Sequence, residues 1–243
     1  MKLIVLTDPG FFVEEDKILT TLFDEGLDIL HLRKPGSEPV YCERLLSLIP
    51  DTYHSRIVVH DHFYLVDEFG LMGYHLSQRN SERPLGQSAA CTRTCYSLPE
   101  LAQYKDECSY VLLRNVFDSI SEPDNKASFQ PEELQEARQA GLLDRKVIAE
   151  GGVTLDSVPV VRDYGFGGVA VCIDHQQEFH QIVGIGECAL HEEHITSADA
   201  LFEADLKLAI SKVRDGEVSQ FATQTLANLL CQVTALGARE HLE

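Results

Sequence analysis

A chain of 243 residues, 44% hydrophobic and 24% charged, has the composition of a globular protein with a substantial core, which excludes a disordered or fibrous polypeptide. Thirty-nine acidic against 20 basic residues give a formal charge of -19, and with no basic stripe to release counterions this argues against nucleic acid or an anionic membrane as partner. Seven cysteines without a Cys-x-x-Cys pair, a short apolar N-terminus and no run of membrane-spanning length lead to the expectation of a cytoplasmic protein with reduced, mostly buried thiols.

Short, continuous apolar runs rich in β-branched residues predict eight strands: Leu3 to Leu6, Leu27 to Leu32, Ile57 to His60, Tyr74 to Leu76, Ala89 to Cys91 continuing to Tyr96, Tyr110 to Phe117, Val147 to Ala149, and Gly168 to Ile173. Helical periodicity fills the gaps at Glu14 to Glu25, Tyr41 to Ile49, Leu98 to Lys105, Pro131 to Ala140 and Thr154 to Asp163. Eight alternating units in about 175 residues predict an α/β fold of the TIM (β/α)8 barrel type over residues 1–175. A doubly wound sheet is the alternative, and no Gly-x-Gly-x-x-Gly follows the first strand to support it. Beyond the barrel, residues 176–243 carry two further apolar patterns, Phe202, Leu206, Ile210 and Val213, then Val218, Phe221, Leu226, Leu229, Val233 and Leu236. A barrel needs one closing helix, so the rest is expected to be a helical hairpin packed on the barrel or on a neighbouring subunit, with a lid as the alternative.

Active sites of such barrels collect at the carboxyl ends of the strands. Those ends are polar here: Thr7-Asp8; His31, Arg33 and Lys34; His60, Asp61 and His62; His75, Gln78 and Arg79; Thr92, Thr94 and Tyr96; Arg114, Asn115, Asp118 and Ser119; Glu150; and Asp174. Glu150-Gly151-Gly152 and the end of the eighth strand, Cys172-Ile173-Asp174, have the character of turns that present backbone N–H groups to a phosphate. The structural alternative for Arg33 and Lys34 is simple pairing with Asp61 and Glu150. At least one of His60 and His62 is expected to be structural, Cys91 and Cys95 share a strand face as core residues, and His191 to His194 reads as a solvated helix turn.

His31-Leu32-Arg33-Lys34, Val59-His60-Asp61, Tyr74-His75-Leu76-Ser77-Gln78, Tyr110-Val111 with Val116-Phe117, and the two glycine-bearing strand ends occur in order on successive strands. Together they resemble the thiamine phosphate synthase and TenI superfamily. The resemblance implies thiamin biosynthesis on small phosphorylated heterocycles: a transfer joining a hydroxymethylpyrimidine diphosphate to thiazole phosphate with diphosphate release, assisted by Mg2+. It implies that Arg33, Lys34 and Lys126 bind diphosphate, that Asp61 holds Mg2+, and that Gly151, Gly152, Cys172 and Ile173 form the phosphate cradle. His31, Gln78, Thr94 and Arg114 would contact substrate, and Tyr96 stands where the family has a proton-transferring histidine. A homodimer is plausible from the same likeness. Arg79-Asn80 replaces the acidic pair that helps hold the metal, and Glu150 replaces a small or apolar residue. These departures keep two alternatives open: a TenI-like thiazole tautomerase, whose His31-x-Arg33 strand end is similar, and a non-catalytic thiazole-phosphate-binding barrel.

Overall fold

The structure is a computed structural model and describes residues 1–119, 124–154 and 157–172. Ile173, Asp174, His191 to His194 and the expected helical hairpin of the tail lie outside the described residues. Eight parallel strands close into a barrel in sequence order: β1 (Lys2–Leu6), β2 (Ile29–Leu32), β3 (Ile57–Val59), β4 (Gly73–Leu76), β5 (Ala90–Cys95), β6 (Tyr110–Arg114), β7 (Val147–Glu150) and β8 (Gly168–Cys172). Closure runs through five β1–β8 pairs from Lys2↔Gly168 to Leu6↔Cys172. The barrel expected from the eight short runs is the barrel observed.

Between the strands lie α1 (Glu15–Asp24), α2 (Pro39–Leu48), α3 (Leu65–Phe69), α4 (Leu98–Tyr104), α5 (Pro131–Gln139) and α6 (Val158–Asp163). The third of these was not read from the sequence, because five residues are too few to show a 3.6-residue period. The sixth begins at Val158, not Thr154, and carries Pro159 in its first turn, where a missing N–H costs nothing. Strand β6 stops at Arg114, three residues short of the expected end, because Asn115 turns to φ 63°.

Period-2 alternation divides the strands between two cores. Outward side chains such as Leu3, Val5, Leu30, Val59, Leu76, Val111 and Val147 pack under the helices with Leu19, Phe23, Leu46 and Leu134, and Cys91 and Cys95 are buried in this layer as expected. Inward side chains Ile4, Leu6, Ile29, Val58, Tyr110, Leu112, Ile148 and Ala170 fill the lumen. Above them the lumen turns polar, with His31, His60, His75, Thr92, Thr94 and Glu150 all buried. The fold therefore delivers a polar set of side chains to the carboxyl ends of β2 to β7. No helix among the described residues is long and apolar enough to cross a membrane.

Candidate active site

The lowest polar layer holds two hydrogen-bonded sets joined by ring stacking. His31, fully buried, places Nε2 2.6 Å from the Tyr110 hydroxyl and Nδ1 2.9 Å from His60 Nε2. His75 sets its two ring nitrogens 2.8 Å from the hydroxyls of Thr92 and Thr94, and its ring stacks on that of His60 at 4.1 Å. Burial drives the His31 pKa down to about 3 and holds those of His60 and His75 well below the usual imidazole value, so all three rings are neutral at physiological pH. Their ligand atoms lie within 4.8 Å of one another, the spacing of a metal cluster. The nitrogens of His31 and His75 are nevertheless satisfied by Tyr110, His60 and the two threonines, which is the arrangement of a structural polar core. Two residues expected to contact substrate, His31 and Thr94, thus belong to this layer.

Above it stands Glu150, the last inward residue of β7, 5% exposed and in register with Arg114 on β6. Arg114 Nη1 is 3.9 Å from Glu150 Oε1, while Oε2 has no hydrogen-bond partner among the described residues. Burial raises the Glu150 pKa, and the charges of Arg114 and Arg33 oppose it. The Arg33 backbone is locked by a pair of bonds with the Thr7 hydroxyl, N–H to Oγ1 at 2.9 Å and Oγ1–H to the Arg33 carbonyl at 3.2 Å. Among the described residues its guanidinium has no ion pair of its own.

The turn after β7 is a built feature. Gly151 and Gly152 sit at φ 90° and 63°, conformations that side chains rarely adopt. Val116 N–H donates to the Glu150 carbonyl and Phe117 N–H to the Gly151 carbonyl, both at 3.1 Å, so the loop after β6 lies against the turn. A Cβ on Gly151 would come within 2.9 Å of the Asn115 backbone, and one on Gly152 within 2.1 Å of the Asp118 carbonyl. Among the described residues neither glycine's N–H has a hydrogen-bond partner. Open backbone donors in such a turn are of the kind that bind anions, and the charges of Arg114 and Arg33 reach the adjacent Glu150.

The remaining candidates are placed differently. Lys34 is 1% exposed; its ammonium donates to Glu15 at 2.6 Å and to the Gly10 carbonyl and lies 4.5 Å from the centre of the Phe11 ring. Burial lowers its pKa, with Glu15 opposing. The structure thus commits Lys34 to the β1–α1 loop and not to the open mouth. Asp61 is held on both oxygens by Arg79 Nη2, at 2.9 and 2.8 Å, and receives the Asn80 amide at 3.0 Å. The simple pairing of Arg33 and Lys34 with Asp61 and Glu150 is not what forms: Lys34 takes Glu15, Arg79 takes Asp61, and Arg114 lies beside Glu150. Lys126 pairs with Asp118 at 3.2 Å with both side chains exposed. Gln78 and Cys172 are exposed, and Tyr96, half-buried, gives its N–H to Glu100 at 2.7 Å. His62 binds the Ser37 carbonyl through Nε2 at 3.0 Å, a structural role.

The sequence did contain the signals for what was missed. Strands β2, β3 and β4 each end with an inward histidine, and Glu15 falls four and eight residues before Leu19 and Phe23, on the buried stripe of α1.

Comparison with known proteins agrees with this architecture. The model of the family described as thiamine monophosphate synthase matches residues 3–174. A thiamine-phosphate synthase of Serratia proteamaculans is 28% identical over 172 residues, covering 65% of this chain and 79% of the relative. The crystal structure of a thiamine phosphate pyrophosphorylase from Bacteroides thetaiotaomicron, 40% identical, superposes with a TM-score of 0.69 over 90% of this chain and 100% of that one. A thiamine phosphate pyrophosphorylase from Pyrococcus furiosus, 18% identical, shares the fold at a TM-score of 0.57 over 70% of this chain and 85% of its own. The chain belongs to the thiamine monophosphate synthase family, enzymes of thiamin biosynthesis.

Proposed function

We propose that this barrel catalyses a thiamine phosphate synthase-like transfer, in which the methylene carbon of a hydroxymethylpyrimidine diphosphate becomes bonded to the ring nitrogen of thiazole phosphate and diphosphate leaves. The observation that carries this reading is the Gly151-Gly152 turn, whose N–H groups have no partner among the described residues and which follows Glu150, the residue that the charges of Arg114 and Arg33 reach. It fits the phosphate of the thiazole. The names of the relatives at 28% and 40% identity support the reaction.

The donor set at the strand ends fits Mg2+. This ion keeps several waters and takes one or two carboxylates together with substrate phosphates, so a single carboxylate, Asp61, is a sufficient protein donor. The ion pair that now occupies Asp61, itself 15% exposed, has an Arg79 side chain 42% exposed, so solvent screens the cationic partner. A diphosphate with its cation can therefore take Asp61 over, and the released Arg79 guanidinium then gains a phosphate partner. Mg2+, when bound, supplies neutralisation of the charge that builds on the leaving diphosphate. Arg33, Arg79 and Lys126 provide the protein's share of that neutralisation, and the buried Lys34 drops out of the set.

A thiazole tautomerase is the second reading, favoured by the occupation of both Asp61 oxygens and by Glu150, a buried acid with a raised pKa beside the cradle. One experiment separates them. The full chain is given both substrates with and without Mg2+, and diphosphate release is followed alongside proton exchange on the thiazole. Release that requires Mg2+ and falls about a hundredfold or more in Asp61→Ala supports the transfer. No release at micromolar enzyme refutes it, and Mg2+-independent thiazole isomerisation in its place establishes the tautomerase.

A further inference from the structure

Glu150 raises a problem that the rest of the site does not solve. A carboxylate next to a phosphate dianion repels it, yet this one is the last inward residue before the cradle and 5% exposed. The plain explanation is a counterion for Arg114. The geometry does not fit a hydrogen-bonded ion pair: the approach is 3.9 Å, beyond hydrogen-bond range, and among the described residues Oε2 accepts from nothing although the Arg114 guanidinium stands nearby. An ionised carboxylate that is buried with an oxygen left open carries a desolvation cost; a neutral carboxylic acid in the same place has an O–H to give.

The charged groups that act on it are Arg114 from β6 and Arg33 from the end of β2. Both charged neighbours are cationic. With Glu150 neutral, a carboxyl proton stands at the strand end that leads into the Gly151-Gly152 turn, within range of the charges of Arg114 and Arg33. We propose that Glu150 is a phosphate-binding residue that works as the neutral acid, donating its O–H to an oxygen of the phosphate held on the Gly151 and Gly152 N–H groups. The inference rests on reading that turn as the phosphate site. No bond is made or broken: a proton stays on the carboxyl, or is taken up from solvent when the anion arrives, and is shared across a hydrogen bond of the short, charge-assisted kind. Burial, which already raises the Glu150 pKa, acts in the same direction, and a dianion opposite raises it further.

The sign of the consequence is opposite to that of a plain counterion. Binding is tight while the acid is protonated and weakens by up to tenfold per pH unit once pH passes the pKa of Glu150 in the free protein. Sulfate is the cleanest probe because it remains a dianion from pH 5 to 9; inorganic phosphate is the second. Isothermal titration of the full chain at pH 5.5, 7.0 and 8.5, in buffers of different ionisation enthalpy, reads affinity and proton uptake together. Wild type is expected to lose at least tenfold in sulfate affinity between pH 5.5 and 8.5 and to take up a fraction of a proton on binding. Glu150→Gln keeps the shape and a permanent N–H donor, so it is expected to bind with a flatter pH profile and no uptake, and more tightly than wild type at pH 8.5. Circular dichroism confirms that the variant is folded, and Glu150→Met repeats the test without a donor, with weaker binding expected at pH 5.5. Equal pH slopes in wild type and Glu150→Gln overturn the proposal while leaving the phosphate site intact. Failure of sulfate and phosphate to bind either protein at millimolar concentration removes the phosphate site and the proposal with it.

Discussion

Removing one partner from the Lys34–Glu15 pair should be among the most destabilising substitutions of polar side chains in the chain. The side chains are 1% and 3% exposed, the ammonium is 2.6 Å from the carboxylate, and it also holds the Gly10 carbonyl, so the pair fastens the β1–α1 loop to the end of β2. Breaking a buried pair leaves an uncompensated charge and costs about 3–5 kcal/mol, whereas replacing both partners by apolar residues of similar volume is often neutral or stabilising by about 1–4 kcal/mol. Lys34→Met is therefore expected to lose about 3–5 kcal/mol, and the double variant Glu15→Leu/Lys34→Met to recover most of it. At about 2–4 °C per kcal/mol for a chain of this size, the single variant melts roughly 6–20 °C below wild type. The chain has no tryptophan, so urea unfolding is followed by far-ultraviolet circular dichroism. A second readout addresses function: with Lys34 committed to the loop, the folded double variant keeps the wild-type KM for the pyrimidine diphosphate. Single variants within about 1 kcal/mol of wild type, or a double variant as unstable as the sum of its parts, would refute the buried-pair reasoning. A stable double variant that cannot bind diphosphate would return Lys34 to the active site.

Acid should unfold the protein through the lumen histidines. Their folded-state pKa values lie below the unfolded value near 6.5, so between those limits the unfolded chain binds protons that the folded chain refuses, and stability is lost as pH falls. Three such groups cost about 4 kcal/mol from pH 7.5 to 5.5, visible as a lower urea midpoint at pH 5.5 than at 7.5; equal midpoints would contradict it. In the glycine turn, Gly152→Ala forces a Cβ against the Asp118 carbonyl at 2.1 Å and is expected to cost at least tenfold in sulfate affinity by titration calorimetry. Gly141→Ala has the similar φ of 71° but nothing within 4 Å, so it should cost only about 1–2 kcal/mol of backbone strain in urea unfolding and no affinity.

The barrel was legible because its signal is repeated: eight apolar runs buried on both faces need only their order to give a closed parallel sheet. The ends of elements were less legible where a single backbone conformation decides them, as Asn115 does for β6. The site was legible as a set of polar strand ends but not as a set of partners. Residue types at strand ends fix which groups arrive at the mouth, while pairing depends on side-chain reach from a neighbouring layer. Glu15 takes Lys34 from the first turn of α1, and Arg79 takes Asp61 across the β3–β4 gap. His31 and Thr94 look like ligand contacts in sequence because inward strand positions look alike from bottom to top of a lumen. Depth separates them: both lie in the layer that the histidine network fills.

Exposure sorts the charges of the mouth into fixed and exchangeable ones. The Lys34–Glu15 pair is desolvated, so no anion from solvent can compete for that ammonium. Arg79, at 42% exposure, and Lys126, at 66%, are held by partners that water and salt already weaken, and a diphosphate offers each a stronger charge than the carboxylate it leaves. Arg33 waits with no ion pair among the described residues. In a protein of net charge -19 an anion must cross a repulsive field to reach this mouth. On the proposed transfer, Arg79 and Lys126 would stay neutralised on Asp61 and Asp118 until the diphosphate is close, and their release would then move positive charge onto it. The same logic makes Glu150 tolerable: an acid that stays protonated adds a donor to the cradle without adding to the negative field that the ligand has to overcome.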